Sequence, residues 1–241
     1  MPLHIWLQAI ALLTASKKGM SSNQLHRTLG VTLKTAWFMS HRVREAMRDG
    51  SIGPLGSGSG TVEADETYFG EQADPTPSPQ RKGRPFTKGG KTGPAGKRAI
   101  LGLVERGGKI HLMHVERADK ETITRIISEN VTREAALMTD ESRLYIEVGA
   151  EMGSHETVKH SANKYVRSTV HTKTIEGSFS IFKRGMHGIY QHCAEKHLHR
   201  DLAEFEFRYN HRIRLGVDDV ARADAALLGA VGKRLTYRAA D

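Results

Sequence analysis

Apolar positions recur with a helical period through the first 48 residues. The opening "MPLHIWLQAIALLTASKKG" carries an apolar run over residues 2 to 14 that includes His4 and Gln8. It is too short to span a bilayer and has no signal-peptide form, so it predicts a buried helix of a soluble protein. In "SSNQLHRTLGV", Ser21 followed by Gln24 has the form of a capping box, Leu25, Leu29 and Val31 make the apolar side, and Gly30 breaks the helix. A second helical pattern starts at Thr32. Leu33, Ala36, Trp37, Ser40, Val43 and Met47 share an inward face, opposite Lys34, Thr35, Phe38, His41, Arg42, Arg44 and Arg48. Helix, glycine turn, then a helix with a basic outer face predicts a helix-turn-helix whose second helix enters a major groove through Lys34, Thr35, His41 and Arg42. Any three-helix packing unit gives the same pattern.

The period then changes. "DGSIGPLGSGSG", residues 49 to 60, is glycine and serine punctuation and predicts a flexible linker. "TVEADETYFG" alternates as a strand does, and "KRAILGLVERGGKIHLMHVER" predicts two strands joined in a hairpin at Gly107 and Gly108. Between them, residues 71 to 98 hold five of the seven prolines, and no acid occurs from position 75 to 104, which predicts a mobile basic loop. "DKETITRIISENV" predicts a helix capped by Asp119, with Ile123, Ile126, Ile127 and Val131 inward, and "EAALMTDES" a central strand ending at Asp140. Helices are predicted over residues 174 to 186 and in "KHLHRDLAEFEFRYNHR", the latter burying Leu198, Leu202, Phe205 and Tyr209. The result is an α/β or α+β layer with a mixed sheet. Its parts are an all-α unit at residues 1–48, the linker at 49–60, a second domain at 61–213 and a tail at 214–241.

Charge adds a partner to this outline. Lysine and arginine total 36 against 27 acids, a net charge of +9, which points to a polyanion. The single cysteine, Cys193, excludes an internal disulfide framework and suits a reducing compartment. "HGIYQHCAEKHLHR" gathers His192, Cys193, His197 and His199, but no paired cysteine spacing supports zinc, and protonatable groups beside DNA phosphates are the better reading.

Three carboxylates stand out by position: Asp65 within the first strand, Asp140 at the end of the apolar strand, and Glu176 in the first turn of a late helix. Random acids on a solvated surface give triples of this kind too. An aspartate at the end of a buried strand, however, sits where α/β folds bind ligands. Gathered carboxylates repel one another unless a hard cation neutralises them, and oxygen-only ligation suits Mg²⁺ or Mn²⁺. Two such ions roughly 3.5–4 Å apart serve phosphoryl transfer. On the helix of "HTKTIEGSFSIFKRG", Glu176, Ser180 and Lys183 share a face, and Lys183 lies roughly 10 Å along the axis from Glu176. The glutamate could thus reach a metal while Lys183 and Arg184 reach phosphates; an acid early and bases late also simply suit the helix dipole. His171, just ahead of this helix, is either a phosphate contact or a plain loop histidine.

The stretches "KGMSSNQLHRTLGVTLKTAWFMSHRVREAM", "VEADETYFG", "HTKTIEGSFSIFKRGMHGIYQH" and "KHLHRDLAEFEFRYNHR" together resemble the DDE transposases of bacterial insertion sequences, in the ISXO-two-like group. Thirty-five residues separate Asp140 from Glu176, a spacing familiar in DDE enzymes, and Lys183 falls where the family places a lysine. The resemblance implies an RNase H-like catalytic domain and a Mg²⁺-dependent activity that nicks element ends and transfers the 3′-hydroxyl into target DNA. It makes Asp65, Asp140 and Glu176 the metal ligands. The implied partners are double-stranded DNA, as terminal inverted repeats and target, and further copies of the chain; the implied place is the nucleoid in the cytoplasm, with no membrane. One departure is that members commonly carry a cysteine-rich zinc ribbon ahead of the helix-turn-helix, whereas "MPLHIWLQAI" opens this chain.

Overall fold

The computed structural model describes residues 1–48, 52–57, 60–71, 96–158, 170–191 and 193–233. Three helices come first: α1 (Leu3–Ala15), α2 (Ser22–Leu29) and α3 (Leu33–Met47). The Ser21 hydroxyl accepts from the Gln24 amide at 3.1 Å and the Thr32 hydroxyl from the Thr35 amide at 3.1 Å, so both later helices start on side-chain caps. Gly30, at φ 63°, takes the left-handed turn between them.

Strands β1 (Thr61–Glu71), β2 (Lys97–Glu105) and β3 (Ile110–Val115) form an antiparallel meander. Helix α4 (Lys120–Asn130), capped by Asp119, crosses to β4 (Ala136–Asp140), and the short α5 (Ile146–Ala150) leads to β5 (Ser154–Val158). Both β4 and β5 run parallel to β1. Among the described residues the strands make one five-stranded sheet in the order β3-β2-β1-β4-β5. That order, with β2 running against the others, is the RNase H-like arrangement, and the class is α/β with a mixed sheet flanked by helices.

Both faces of the sheet are covered. On one side Val62, Ala64, Leu101, Leu103 and Leu137 pack against Ile123 and Ile127 of α4 and Val148 of α5. On the other, Ile100, Val104, Ile110 and Leu112 meet α6 (Lys173–Gly185) and α7 (Glu195–Asn210) through Ile175, Phe179, Phe182, Leu198 and Leu202. Alternate residues of β2 serve opposite cores, as a strand buried on both faces requires. Gly102 interrupts this pattern for a reason. A methyl group there would stand 2.7 Å from Ile175 Cδ1 and from the Phe179 ring, so the bare backbone admits α6 directly opposite Asp65, the cross-strand neighbour of Gly102.

The N-terminal helices do not stand apart from the sheet domain. Leu13, Leu25, Ala36, Met39 and Val43 share a core with Phe207 of α7 and with Ala226 of a last helix, α8 (Asp219–Leu228). The segment 214–241, expected to be a tail, therefore contributes a packed helix, whose Asp218 caps it and whose Arg222 Nε reaches the His211 carbonyl. Only Arg222 and Ala226 of it are buried, so its alanine-rich sequence shows no broad apolar stripe that would announce a docked helix. The expected linker at 49–60 is likewise docked where it is described. Leu55 is buried, its amide donates to the Asn130 carbonyl at 2.8 Å, and its carbonyl accepts from Thr132. From residue 72 to 95 the expected basic loop lies outside the described residues; Lys97 and Arg98 already belong to β2. No helix among the described residues is long and apolar enough to cross a membrane.

Gly102→Ala is expected to lower stability by about 1–3 kcal/mol through overpacking against Phe179. Urea unfolding of both proteins measures this, and an unchanged midpoint would show that α6 can lift off β2 without cost.

Candidate active site

The site is built on β1 and on the first turns of α6. Period-two alternation puts Glu63 and Asp65 on the same face of β1, the face that α6 covers. Glu63 is completely buried. Its carboxylate accepts from the Thr174 amide at 2.8 Å, the Ile175 amide at 3.0 Å and the Thr174 hydroxyl at 2.9 Å. Arg106 Nε donates to the same carboxylate at 2.7 Å, and His171 Nδ1 lies 3.1 Å from it. A carboxylate thus closes the otherwise open N–H groups of a helix N-terminus and satisfies the positive end of its dipole. Arg106 Nη2 also donates to the His171 carbonyl at 2.7 Å, tying the residue just ahead of the helix to the hairpin after β2. The Nδ1 of His171 is therefore engaged inside the molecule.

Asp65 and Asp140 come together through strand register. Glu63 pairs with Met138 across the parallel β1–β4 ladder, so two residues further along each strand the aspartates reach the same level. Asp65 Oδ1 accepts from the Glu66 amide at 2.8 Å, and Asp140 Oδ1 from the Ser142 amide at 3.0 Å. Burial, then the charges of Glu66, Asp140 and Glu176, push the Asp65 carboxyl up to about 7. Asp65 therefore lies within the electrostatic reach of both Asp140 and Glu176. The Glu176 carboxylate is exposed and oriented by the Thr172 hydroxyl, which donates to its Oε1 at 2.6 Å.

A cavity of about 580 Å³ opens here, walled by Asp65, Glu176, Ser180, Lys183, Arg184 and His187. Asp140 is not part of its wall and bears on it only through its charge on Asp65. Burial and the neighbouring Lys97 lower the Lys183 ammonium, while Asp65 opposes that shift, so the lysine sits within reach of the aspartate's field. Among the described residues no group of three or more His, Cys, Asp or Glu side chains is placed so that it could hold a metal ion. The donor set nevertheless fits a hard cation: it is all oxygen, and its charges repel one another without one.

Two acids escape a reading of spacing alone. Glu63 anchors α6, and Glu66, on the opposite face of β1, is raised by burial and by Asp140. The buried Tyr145 hydroxyl lies close to Glu66 without meeting the geometry of a hydrogen bond. The signal is present in "VEADE", where acids stand at successive inward and outward positions of a central strand, a costly arrangement unless each is used.

On α3 the predicted DNA face divides. Lys34 is exposed, Thr35 is half-buried with its hydroxyl 2.9 Å from that of Thr32, and the Arg42 guanidinium lies 4.4 Å over the Phe38 ring. His41, expected on the outer face, is buried between Trp37 and His197, and Arg44 is buried against Asp201 and Glu204 of α7. Conversely Leu33 and Trp37, expected inward, are exposed. The face was displaced because α7 packs on a side of α3 that the local pattern could not foresee. His197 and His199 are held below the usual imidazole range by burial and by Arg200, so they stand neutral rather than as cations for phosphate; His192 lies outside the described residues.

Residues 58–210 match the family described as the ISXO2-like transposase domain. The chain belongs to this family. No curated protein matches it. Solved structures of a mariner transposase overlay loosely. The Mos1 strand transfer complex is 11% identical at a TM-score of 0.35, covering 93% of this chain and 74% of that one. The Mos1 paired end complex with Mn is 11% identical at 0.36, with the same coverage. The pre-cleavage Mos1 transpososome is 14% identical at 0.33, covering 95% and 79%. Strand order and direction, not these overlays, define the fold of this transposase-family chain.

Two outcomes are expected for the acids of β1. Glu63→Ala leaves Arg106 and the α6 amides without their acceptor and should cost about 3–5 kcal/mol, read by denaturant unfolding; a loss below about 1 kcal/mol would remove Glu63 as the anchor. Asp65 has a folded pKa raised above its unfolded value, so its neutral form contributes stability at low pH that is lost as pH rises toward 7. In chelator, Asp65→Asn should therefore match the parent protein near pH 4 and exceed it by about 2–4 kcal/mol at pH 8. Equal stability at both pH values would mean that the aspartate is not crowded by its neighbours.

Proposed function

We propose that the chain is a DDE transposase that nicks DNA at the ends of an insertion sequence and joins the freed 3′-hydroxyl to target DNA. The observation that carries this reading is the coupling of Asp65 with Asp140 and Glu176 at one sheet edge, with Lys183 walling the same cavity. Asp65, Asp140 and Glu176 would hold Mg²⁺ or Mn²⁺, as two ions. Bound there, such ions polarise an attacking water or hydroxyl and stabilise the leaving oxygen of a phosphodiester. The side chains around them set the geometry. Thr172 holds the Glu176 carboxylate toward the cavity, while the Glu63 and Arg106 pair holds the whole helix in register with β1. Lys183 and Arg184, both about two turns beyond Glu176 on the same helix, take phosphate oxygens of the strand being cut.

Double-stranded DNA, as element ends and as target, is the proposed partner, with Lys34, Thr35 and Arg42 of α3 on the element end. Phosphate contacts by such residues make binding steeply salt-dependent. Synapsis of two ends calls for more than one copy of the chain, working at the nucleoid.

The test uses labelled duplexes carrying the DNA that flanks this gene, purified full-length protein and Mn²⁺, scored for binding, nicking and joined product. Asp65→Asn, Asp140→Asn and Glu176→Gln should each reduce nicking by at least about a thousandfold while binding persists. Undiminished nicking by any one of them would remove that residue from the triad. Binding by the parent protein without metal-dependent cutting would instead mark a DNA-binding regulator.

A further inference from the structure

A second cleft, of about 700 Å³, lies between α3 and the start of α7, away from the carboxylates. Among the described residues its aromatic wall includes a cluster of three rings. Trp37 and His41 stand with centroids 4.3 Å apart, His41 and His197 4.7 Å, and Trp37 and His197 5.7 Å. Trp37, at 37% exposure, is the accessible member, whereas His41 is only 5% exposed. Among the described residues His41 Nδ1 has no hydrogen-bond partner. Asn23 and Gln191 bring side-chain amides to the same cleft, and Lys34 stands exposed at its wall.

The cleft is joined to the candidate active site by a few residues of backbone. Helix α6 ends in a π-helical turn, Met186–Tyr190. His187 of that turn walls the carboxylate cavity, and the residues after it wall the aromatic cleft. Gln191 follows at φ 53°, in the left-handed region that a glutamine rarely adopts. Local strain and π-turns of this kind collect where a backbone must present groups to a ligand. The chemistry of the wall selects what that ligand is. Burial, then Arg44 and His197, lower His41 to about 3, and burial and Arg200 lower His197, so both rings are uncharged at neutral pH. Asp201 and Arg44, both in the wall, are paired with each other at 3.4 Å, so neither offers a ligand a free charge. Flat neutral rings, amides able to meet a polar edge and one lysine at the surface match a nucleobase with its phosphate outside.

We infer that this cleft stacks one unpaired nucleobase of the DNA strand that runs through the candidate active site, with Trp37 as the stacking platform. The inference rests on the proposed function for the identity of the strand, but its test does not need cleavage. Trp6→Phe leaves Trp37 as the sole tryptophan of the two in the chain. This full-length protein is titrated, without metal, with a short oligothymidylate and with an abasic phosphodiester chain of equal length and charge. The oligothymidylate should quench Trp37 emission and bind about tenfold or more tightly than the abasic chain, the size of one base–aromatic stack. With labelled oligonucleotides, Trp37→Ala should bring the two affinities together and Trp37→Phe should keep them apart, which separates stacking from a loss of fold. Equal affinity of the two chains for the parent protein, an undiminished gap in Trp37→Ala, or no binding of either chain at low salt would overturn the inference. A protein that cuts duplex DNA yet shows no base preference sinks only the cleft; one that holds bases but never cuts sinks the transposase reading.

Discussion

The candidate site depends on one buried carboxylate that performs no chemistry. Glu63 has no exposure to solvent and is surrounded by donors: two amides and a hydroxyl of α6, and the guanidinium of Arg106. Its charge is tolerable only because each oxygen is met, and the same contacts are what align α6 on β1. Asp65 lies two residues along the strand and Glu176 two residues along the helix, so a single anchoring point sets the distance between residues 111 positions apart in the chain. Gly102 completes the arrangement from the neighbouring strand by leaving room for Phe179.

A second buried network joins the N-terminal helices to the sheet domain. Arg44 of α3 donates to Glu204 at 2.6 Å, lies 3.4 Å from Asp201 and stacks over Tyr190 at 4.9 Å. Tyr190 donates to Glu204 at 2.7 Å, and Arg208 pairs with the same carboxylate. Burial opposes the charge of Glu204, but Arg208 and Arg44 beside it hold its carboxyl below the usual range. Breaking one member would strand the others as unpaired charges, so α3 and α7 move together or not at all. Outside this network Arg200 meets Glu45 at 3.4 Å, a weaker and more exposed tie between the same two helices.

Much of this was legible in the sequence because it is local. The caps at Ser21 and Asp119, the start of a helical pattern at Thr32, the hairpin at Gly107 and Gly108, and the strand ending at Asp140 each follow from a few neighbouring residues. The exposed edge strand β5, with only Val158 buried, has too little apolar alternation to announce itself. What the sequence could not convey is which elements meet. His41 and Arg44 look like part of a solvated basic face until α7 covers them, and Glu63 looks like one more surface acid until α6 arrives above it. Asp65, Asp140 and Glu176 were readable as candidates because strand ends and helix starts are where chains place such groups. Their mutual field exists only in the folded sheet.

The union of α3 with α7 has a consequence for geometry. With α3 tied to α7 by buried ion pairs, the helix proposed to read DNA and the carboxylates proposed to cut it would act, under the proposed function, as a fixed ruler laid along the duplex. Each added base pair advances the axis by roughly 3.4 Å and turns the phosphates by about a tenth of a revolution. Under that reading the interval between the sequence recognised and the bond broken would belong to the protein, and a substrate with an altered interval would have to twist to be accepted.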